Sequence, residues 1–390
     1  SRNLKRILLR VLSMTNYFPS FDFDDAEQFI NSSYLIPDEG FPENKLILSE
    51  SYTASKELLE VEKILIKLVS SDEELFPLKG DSRLGKTLLV HLRFSSIFKE
   101  YFPYNSLSPY LNVFLRTIDN IECEDRKGRR LNAVIRRRMN EARIQGRYKH
   151  WDISFPPQHD RQVYCNAMNY FVEKLRKKLR SDEFSKSVAN LKKGISKNKT
   201  SILKYINALF NAHSRLLVIR LDLSYKKNSN PYLKRHEFCE QLEKAQEHRH
   251  KLIQHLKRKQ LKDAFVGYAW KLEYGLEKSF HYHMIFFLDG SQYRKDVEIA
   301  KSIGEYWVNQ VTDGTGLYWN CNANQNSYRA NGIGTVNYWD KDKRKNLEQA
   351  SLYLVKPDYF VRVFMPNGGR TYDRGQMPKN METRGRKRSK

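Results

Sequence analysis

The sequence predicts an α+β protein: a central antiparallel sheet with flanking helices, preceded by a mostly helical region. Two observations carry that expectation. Apolar residues recur at helical spacing through much of residues 1–205. From about residue 206 the texture changes to β-branched and aromatic runs that alternate with charged helical stretches, which suits helices packed on a sheet. A chain of 390 residues, 40% hydrophobic and 13% aromatic, is long enough for two cores. The division expected is 1–205, 206–373 and a basic, disordered tail over 374–390.

In the first region "ASKELLEVEKILIKLV" (54–69), "TLLVHLRFSSIFKEYF" (87–102) and "RQVYCNAMNYFVEKLRKKLR" (161–180) read as amphipathic helices. "LKKGISKNKTS" (191–201) is basic and poor in apolar residues, which reads as a linker, with a helix over 202–213 after it. "RLLVIRLDLSY" (215–225) is a strand by its aliphatic content, and 233–260 is a long charged helix. Residues 264–275 and 281–288 read as two strands joined by a short loop. A helix over 294–311, short strands within 313–340 and a helix over 343–356 complete the unit. There is no internal repeat.

Lys and Arg outnumber Asp and Glu by 69 to 45, a net charge of +24. Such a surface attracts polyanions, nucleic acid first among them. No apolar run approaches a bilayer span, so no membrane partner is expected. The opening "LKRILLRVLSM" is interrupted by Arg10 and reads as an amphipathic helix, not a secretory core. The first residue is Ser1, which reads as a trimmed N-terminus. Four scattered cysteines without a C-x-x-C pair fit a reducing, cytoplasmic setting.

The pattern H-x-H occurs twice. His248 and His250 fall in "AQEHRHKL", where two residues on a helix point about 200° apart and cannot converge on one ion. They read as a solvated face. His281 and His283, in "SFHYHMIFFLDG" (279–290), fall on a strand, where residues i and i+2 share a side. Two imidazoles on one face of a sheet are half of a divalent-metal site. With the connecting loop centred on Glu277, Glu273 stands opposite His281 and supplies a third ligand. A slip of one residue makes Glu277 the substitute. The competing reading is two half-buried histidines in a core strand.

A second motif lies in "NLEQASLYLVKPDYF" (346–360). On a helix ending before Pro357, Tyr353 and Lys356 share a face with Gln349, while Leu347, Ala350 and Leu354 form the apolar side. A phenol is a weak nucleophile at neutral pH. A metal-polarised phosphodiester asks less of it, and Lys356 can stabilise phosphate charge nearby. Taken alone, an ordinary amphipathic helix explains this segment as well.

The order Glu, "HYH" on an apolar strand and "YLVK" on a later helix resembles the HUH endonucleases of the replication-initiator class. "RLLVIRLDLSY", "LEYGLEKSFHYHMIFFLDG", "IGEYWVNQVTDGTGLYWN" and "ASLYLVKPDYF" together resemble the inovirus replication-initiator family and its prophage YagK/YfjJ-type relatives. The resemblance covers roughly 205–375. It implies an HUH/Rep-like nuclease domain that nicks single-stranded DNA with Mg²⁺ or Mn²⁺. His281, His283 and Glu273 would be the ligands and Tyr353 the nucleophile, leaving a 5′-phosphotyrosyl link and a free 3′-OH primer, with Lys356 assisting. Some members use two tyrosines one helical turn apart; Tyr359 is six residues on with Pro357 between, so a single tyrosine is expected. The partners implied are a single-stranded nick site, an origin duplex, and a host helicase and polymerase. An HUH tyrosine transposase shares this chemistry, and a non-cleaving prophage regulator could share the fold.

Two features lie outside that resemblance. "GDSRLGKT" (80–87) fits the phosphate-binding pattern G-x-x-x-x-G-K-[ST], yet the mechanism needs a buried strand before it, and "SDEELFPLK" is acidic and broken by Pro77. "RKGRRLNAVIRRRMNEARIQGRYK" (126–149) carries ten basic residues against one Glu. Arg129, Arg130, Arg136, Arg137, Arg138 and Arg143 therefore read as a duplex-binding run, which makes 1–205 a helical DNA-binding domain. Arg386, Lys387 and Arg388 in the tail suit a minor groove. Three Tyr-Trp pairs (306–307, 318–319, 338–339) could stack on unpaired bases, although most aromatics are core.

Overall fold

The computed structural model describes residues 50–80, 82–92, 104–123, 158–226, 233–275, 279–325, 331–355, 361–363, 365 and 369–378. The arginine run at 126–149, the tail residues Arg386, Lys387 and Arg388, and Glu277, Lys356 and Tyr359 lie outside them, as does the N-terminal "LKRILLRVLSM". The described helices are α1 (Glu50–Ser70), α2 (Arg83–Leu92), α3 (Pro109–Cys123), α4 (Gln158–Leu179), α5 (Asp182–Ala212), α6 (Arg235–His255), α7 (Asp296–Tyr306) and α8 (Lys341–Leu352). The strands are β1 (Asn105–Leu107), β2 (Arg215–Tyr225), β3 (Phe265–Gly275), β4 (Ser279–Asp289), β5 (Gly316–Asn320), β6 (Gly334–Asn337), β7 (Val361–Val363) and β8 (Tyr372–Arg374). The class is α+β, with a helix-rich region ahead of the sheet.

The chain divides between Ala189 and Asn190, with residues 104–106 joining the second unit. That division falls inside α5, so residues 191–201 are helical and not a linker. Lysine is a good helix former, and a basic stretch needs no core to stay helical when its neighbours are anchored. The anchor is Ile202, Tyr205, Ile206, Leu209 and Phe210, all buried against the sheet. The sheet unit therefore begins before residue 206. At the other end, Arg374 belongs to β8 and Gly375 N–H donates to Tyr268 O, so ladder pairing reaches into the stretch read as tail.

In the first unit α1, α2, α3 and α4 bury Leu58, Leu65, Leu88, Phe114, Phe171 and Leu175. Among the described residues, "GDSRLGKT" has no strand ahead of it to present a phosphate cradle. Residues 71–80 contain no strand, and α2 already starts at Arg83. Gly85 N–H donates to Ser82 Oγ at 3.1 Å and Lys86 N–H to Ser82 O at 3.0 Å, so both amides are used within the helix.

The second unit is a six-stranded antiparallel sheet in the order β5-β2-β4-β3-β8, with β6 also pairing β2. β5 and β6 share one edge of β2, end to end: β5 takes Leu221–Tyr225 and β6 takes Arg215–Val218. Leu217, Ile219, Leu221, Leu272, Tyr282, Met284 and Phe286 face α6 and α7. Val218, Ala269, Ile285 and Phe287 face α5 and α8. Alternation along each strand thus feeds two cores, and both sides are apolar because helices cover both. Gly267, at a bulge in β3, admits α5 on the second face, since a Cβ there would lie 2.1 Å from Tyr205 Oη.

Candidate metal centre

The second face does not stay apolar along its length. Beyond Ile285 on β4 come His283 and His281, and beyond Ala269 on β3 come Lys271 and Glu273. β3 and β4 pair with Glu273 opposite His281 and Lys271 opposite His283. Of the two registers the sequence allows, this one puts the carboxylate and both imidazoles on one side. His281 Nε2 lies 3.3 Å and His283 Nε2 3.5 Å from Glu273 Oε2. One ligand atom from each of Glu273, His281 and His283 lies within 4.8 Å of the others, so the three could hold one divalent ion.

The far side of each imidazole is held as well. His283 Nδ1 is 2.7 Å from Asp222 Oδ1, and His281 Nδ1 is 3.2 Å from the Ser279 carbonyl. An ionised carboxylate and a carbonyl only accept, so each Nδ1 carries the proton and donates it. Both Nε2 atoms are thereby left toward Glu273, the tautomer that metal-ligating histidines need. Ser279 holds its carbonyl there with a left-handed backbone, φ 52°, a conformation that costs a non-glycine residue about 1 kcal/mol or more.

The electrostatics follow from the packing. Burial pushes the His283 imidazole down, but Asp222 and Glu273 beside it outweigh that and raise it to about 9. Burial works to raise Glu273, yet His283 and His281 hold its carboxyl well below the usual range. Without a metal the cluster is therefore a carboxylate–imidazolium–carboxylate chain, and a divalent ion would take the place of a proton.

Tyr353 stands close to this chain. It follows α8, and its N–H still bonds to Gln349 O. The helix starts two residues earlier than its sequence suggests and ends at Leu352. Leu347, Ala350 and Leu354 are buried, and Tyr353 is half-exposed. The Arg220 guanidinium lies 5.9 Å from the Tyr353 ring centre, and its Nε is 3.9 Å from Asp222 Oδ1. Asp222 opposes His283, and Arg220 is two residues away on the same strand face. The phenol, guanidinium, carboxylate and imidazole thus run in sequence over one face.

Residues 180–361 match the YagK/YfjJ C-terminal domain family. Glu273, His281, His283, Asp222, Arg220 and Tyr353 all fall within the matched segment. No curated protein and no solved structure matches the chain. Among the described residues, no helix is long and apolar enough to cross a membrane.

Sequence reasoning missed Asp222, Arg220 and Ser279. A signal for the first two exists: in "RLDLSY" polar residues take alternate positions, which marks where that face of β2 leaves the core. The other H-x-H pair also needs correcting. His248 and His250 lie on α6, but His248 is half-buried. Its Nδ1 lies 3.1 Å from Tyr225 Oη and its ring packs edge-on to Trp307. The Tyr-Trp pairs divide too: Trp307 is fully buried, whereas Trp319 and Trp339 are exposed.

Proposed function

We propose that this protein is a metal-dependent, site-specific nickase of single-stranded DNA that initiates rolling-circle-type replication of a prophage, phage or satellite element. The YagK/YfjJ match supports the prophage association. What supports the activity is the convergence of Glu273, His281 and His283 on one point, with both histidines oriented from behind and Tyr353 on the same sheet face. A core would not keep one buried and one half-buried imidazole pointed at a carboxylate and flanked by a second one.

Glu273, His281 and His283 would hold Mg²⁺ or Mn²⁺, which supplies positive charge to polarise the scissile phosphate. Tyr353 Oη loses its proton and forms a bond to phosphorus, while the bond from phosphorus to the 3′ oxygen breaks. The products are a 5′-phosphotyrosine and a 3′ oxygen that takes up a proton. Arg220, beside the ring, favours the phenolate and the added phosphate charge. Lys356, three residues on in sequence, is the second cation assigned to that charge. The origin duplex is assigned to the arginine run at 126–149.

The test is to incubate the protein with Mn²⁺ and a pool of random single-stranded oligonucleotides and look for a protein–DNA adduct stable to denaturant. The expected adduct forms with the wild type, is lost in Tyr353→Phe and is lost on chelation. Adduct formation by Tyr353→Phe would move the nucleophile elsewhere. No adduct with any sequence, despite metal and DNA binding, would favour a non-cleaving regulator.

A further inference from the structure

We propose that Trp319 is the stacking platform for one unpaired base of a DNA strand laid across the metal centre, an inference that rests on the nickase reading above. The argument begins with register. Trp319 on β5 opposes Asp222 on β2, Asp222 opposes His283 on β4, His283 opposes Lys271 on β3, and Lys271 opposes Tyr372 on β8. Directly opposed residues share a face, so these five form one row across the sheet. With strands about 4.8 Å apart, Trp319 lies about 10 Å from His283, along the direction that crosses the strands.

Exposure falls along that row as far as Lys271, and Tyr372 at its end is buried too. Trp319 is 38% exposed, the Asp222 side chain 29% and the His283 side chain 13%, while Lys271 is 1% exposed. The row is open at β5 and closed at β8, so a strand reaching the metal centre enters over Trp319. The outward setting of this indole is imposed by its neighbour. Tyr318 faces the other way, against Gly304 of α7, where a Cβ would sit 2.2 Å from the Tyr318 ring. Tyr318 is thereby committed to the α7 side, and alternation puts Leu317 and Trp319 on the other side.

An exposed tryptophan beside an exposed leucine on an edge strand is a hazard for a soluble sheet unless something covers it. The occupant that fits is an unpaired nucleobase: every base offers a π-face, and a chain of net charge +24 attracts the phosphates attached to it. Trp339 is a control within the same unit. It is 66% exposed, more than Trp319, but follows β6 and is not in the row.

The experiment measures affinity for an oligothymidylate of about 12 nucleotides, in chelator so that no cleavage is needed. Trp319→Ala should weaken binding roughly 5- to 150-fold, the loss expected for one base–aromatic stack. Trp319→Phe should restore most of it, and Trp339→Ala should stay within about twofold of wild type. Mn²⁺ affinity and thermal midpoint should be unchanged in Trp319→Ala. Equal affinity of Trp319→Ala and wild type overturns the proposal, as does an equal loss in Trp339→Ala. The two readings separate cleanly. Trp319-dependent binding without any adduct keeps the platform and removes the nickase, and an adduct with Trp319-independent binding does the reverse.

Discussion

His281 and His283 on β4, and His248 and His250 on α6, are the same three-residue pattern with opposite outcomes. On the strand the two side chains share a face, and their Nε2 atoms lie 3.3 Å and 3.5 Å from one carboxylate oxygen. On the helix they diverge, so that His248 packs on Tyr225 and Trp307 while His250 is exposed. The environments push the rings in opposite directions as well. Asp222 and Glu273 raise His283 despite its burial, whereas burial and Lys251 lower His248. Spacing in a sequence thus acquires chemical meaning only through the period of the element that carries it.

The largest test of this contrast is metal binding. His283→Ala or His281→Ala should weaken Mn²⁺ affinity by more than about 100-fold, beyond the loss typical of a supporting residue. His248→Ala and His250→Ala should leave it unchanged. Titration calorimetry on all four proteins decides the matter, and an equal loss in the helical pair would dissolve the comparison.

The next effect is that of pH. His283 is raised in the metal-free fold to about 9, so binding an ion displaces its proton. Mn²⁺ affinity should then climb roughly tenfold per pH unit between pH 6 and 8. Stability of the metal-free protein carries the opposite sign. A raised imidazole favours folding below its unfolded value near 6.5, and that contribution disappears as pH rises through about 9. His248 is lowered, so its contribution is present above about 6.5 and lost as pH falls. Unfolding profiles of His283→Ala and His248→Ala should therefore depart from wild type at opposite ends of the pH range.

A smaller effect is expected from the residue behind the ligand. Asp222→Ala removes the acceptor that orients His283, and Mn²⁺ affinity at pH 7 should drop by about tenfold. The drop is moderated because the same change lowers the His283 proton affinity. Asp222→Asn can still accept from Nδ1 through its amide oxygen and should recover part of the loss. If Asp222→Ala binds Mn²⁺ like wild type, the carboxylate is a surface ion pair and not a support.

Much of this was legible in the residues themselves. The α+β class followed from texture, and the Glu273–His281 register from a loop centre at Glu277. Asp222 was not legible, because β2 and β4 are more than fifty residues apart and only strand order makes them neighbours. The helicity of 191–201 was obscured by composition, since what fixes that stretch is the docking of Ile202, Tyr205 and Leu209 on the sheet beyond it. Tertiary contact decided both cases, and local pattern carries no record of it.

The smallest effect completes the contrast. His248 makes a packing contribution, so His248→Ala should cost stability and nothing else. It removes a ring that contacts Tyr225 at 5.8 Å and Trp307 at 6.0 Å, measured between ring centres. It also takes away the hydrogen-bond partner of the Tyr225 hydroxyl, a phenol that burial pushes well above its ordinary range. Losing one such bond and an edge-on aromatic contact should destabilise the fold by about 1–2 kcal/mol. The neighbouring His250→Ala, at an exposed position, should stay within about 0.5 kcal/mol of wild type. Denaturant midpoints of the two variants measure the difference directly. Equal midpoints would mean that α6 tolerates loss of the His248 ring, and that its contacts with Tyr225 and Trp307 add no net stability.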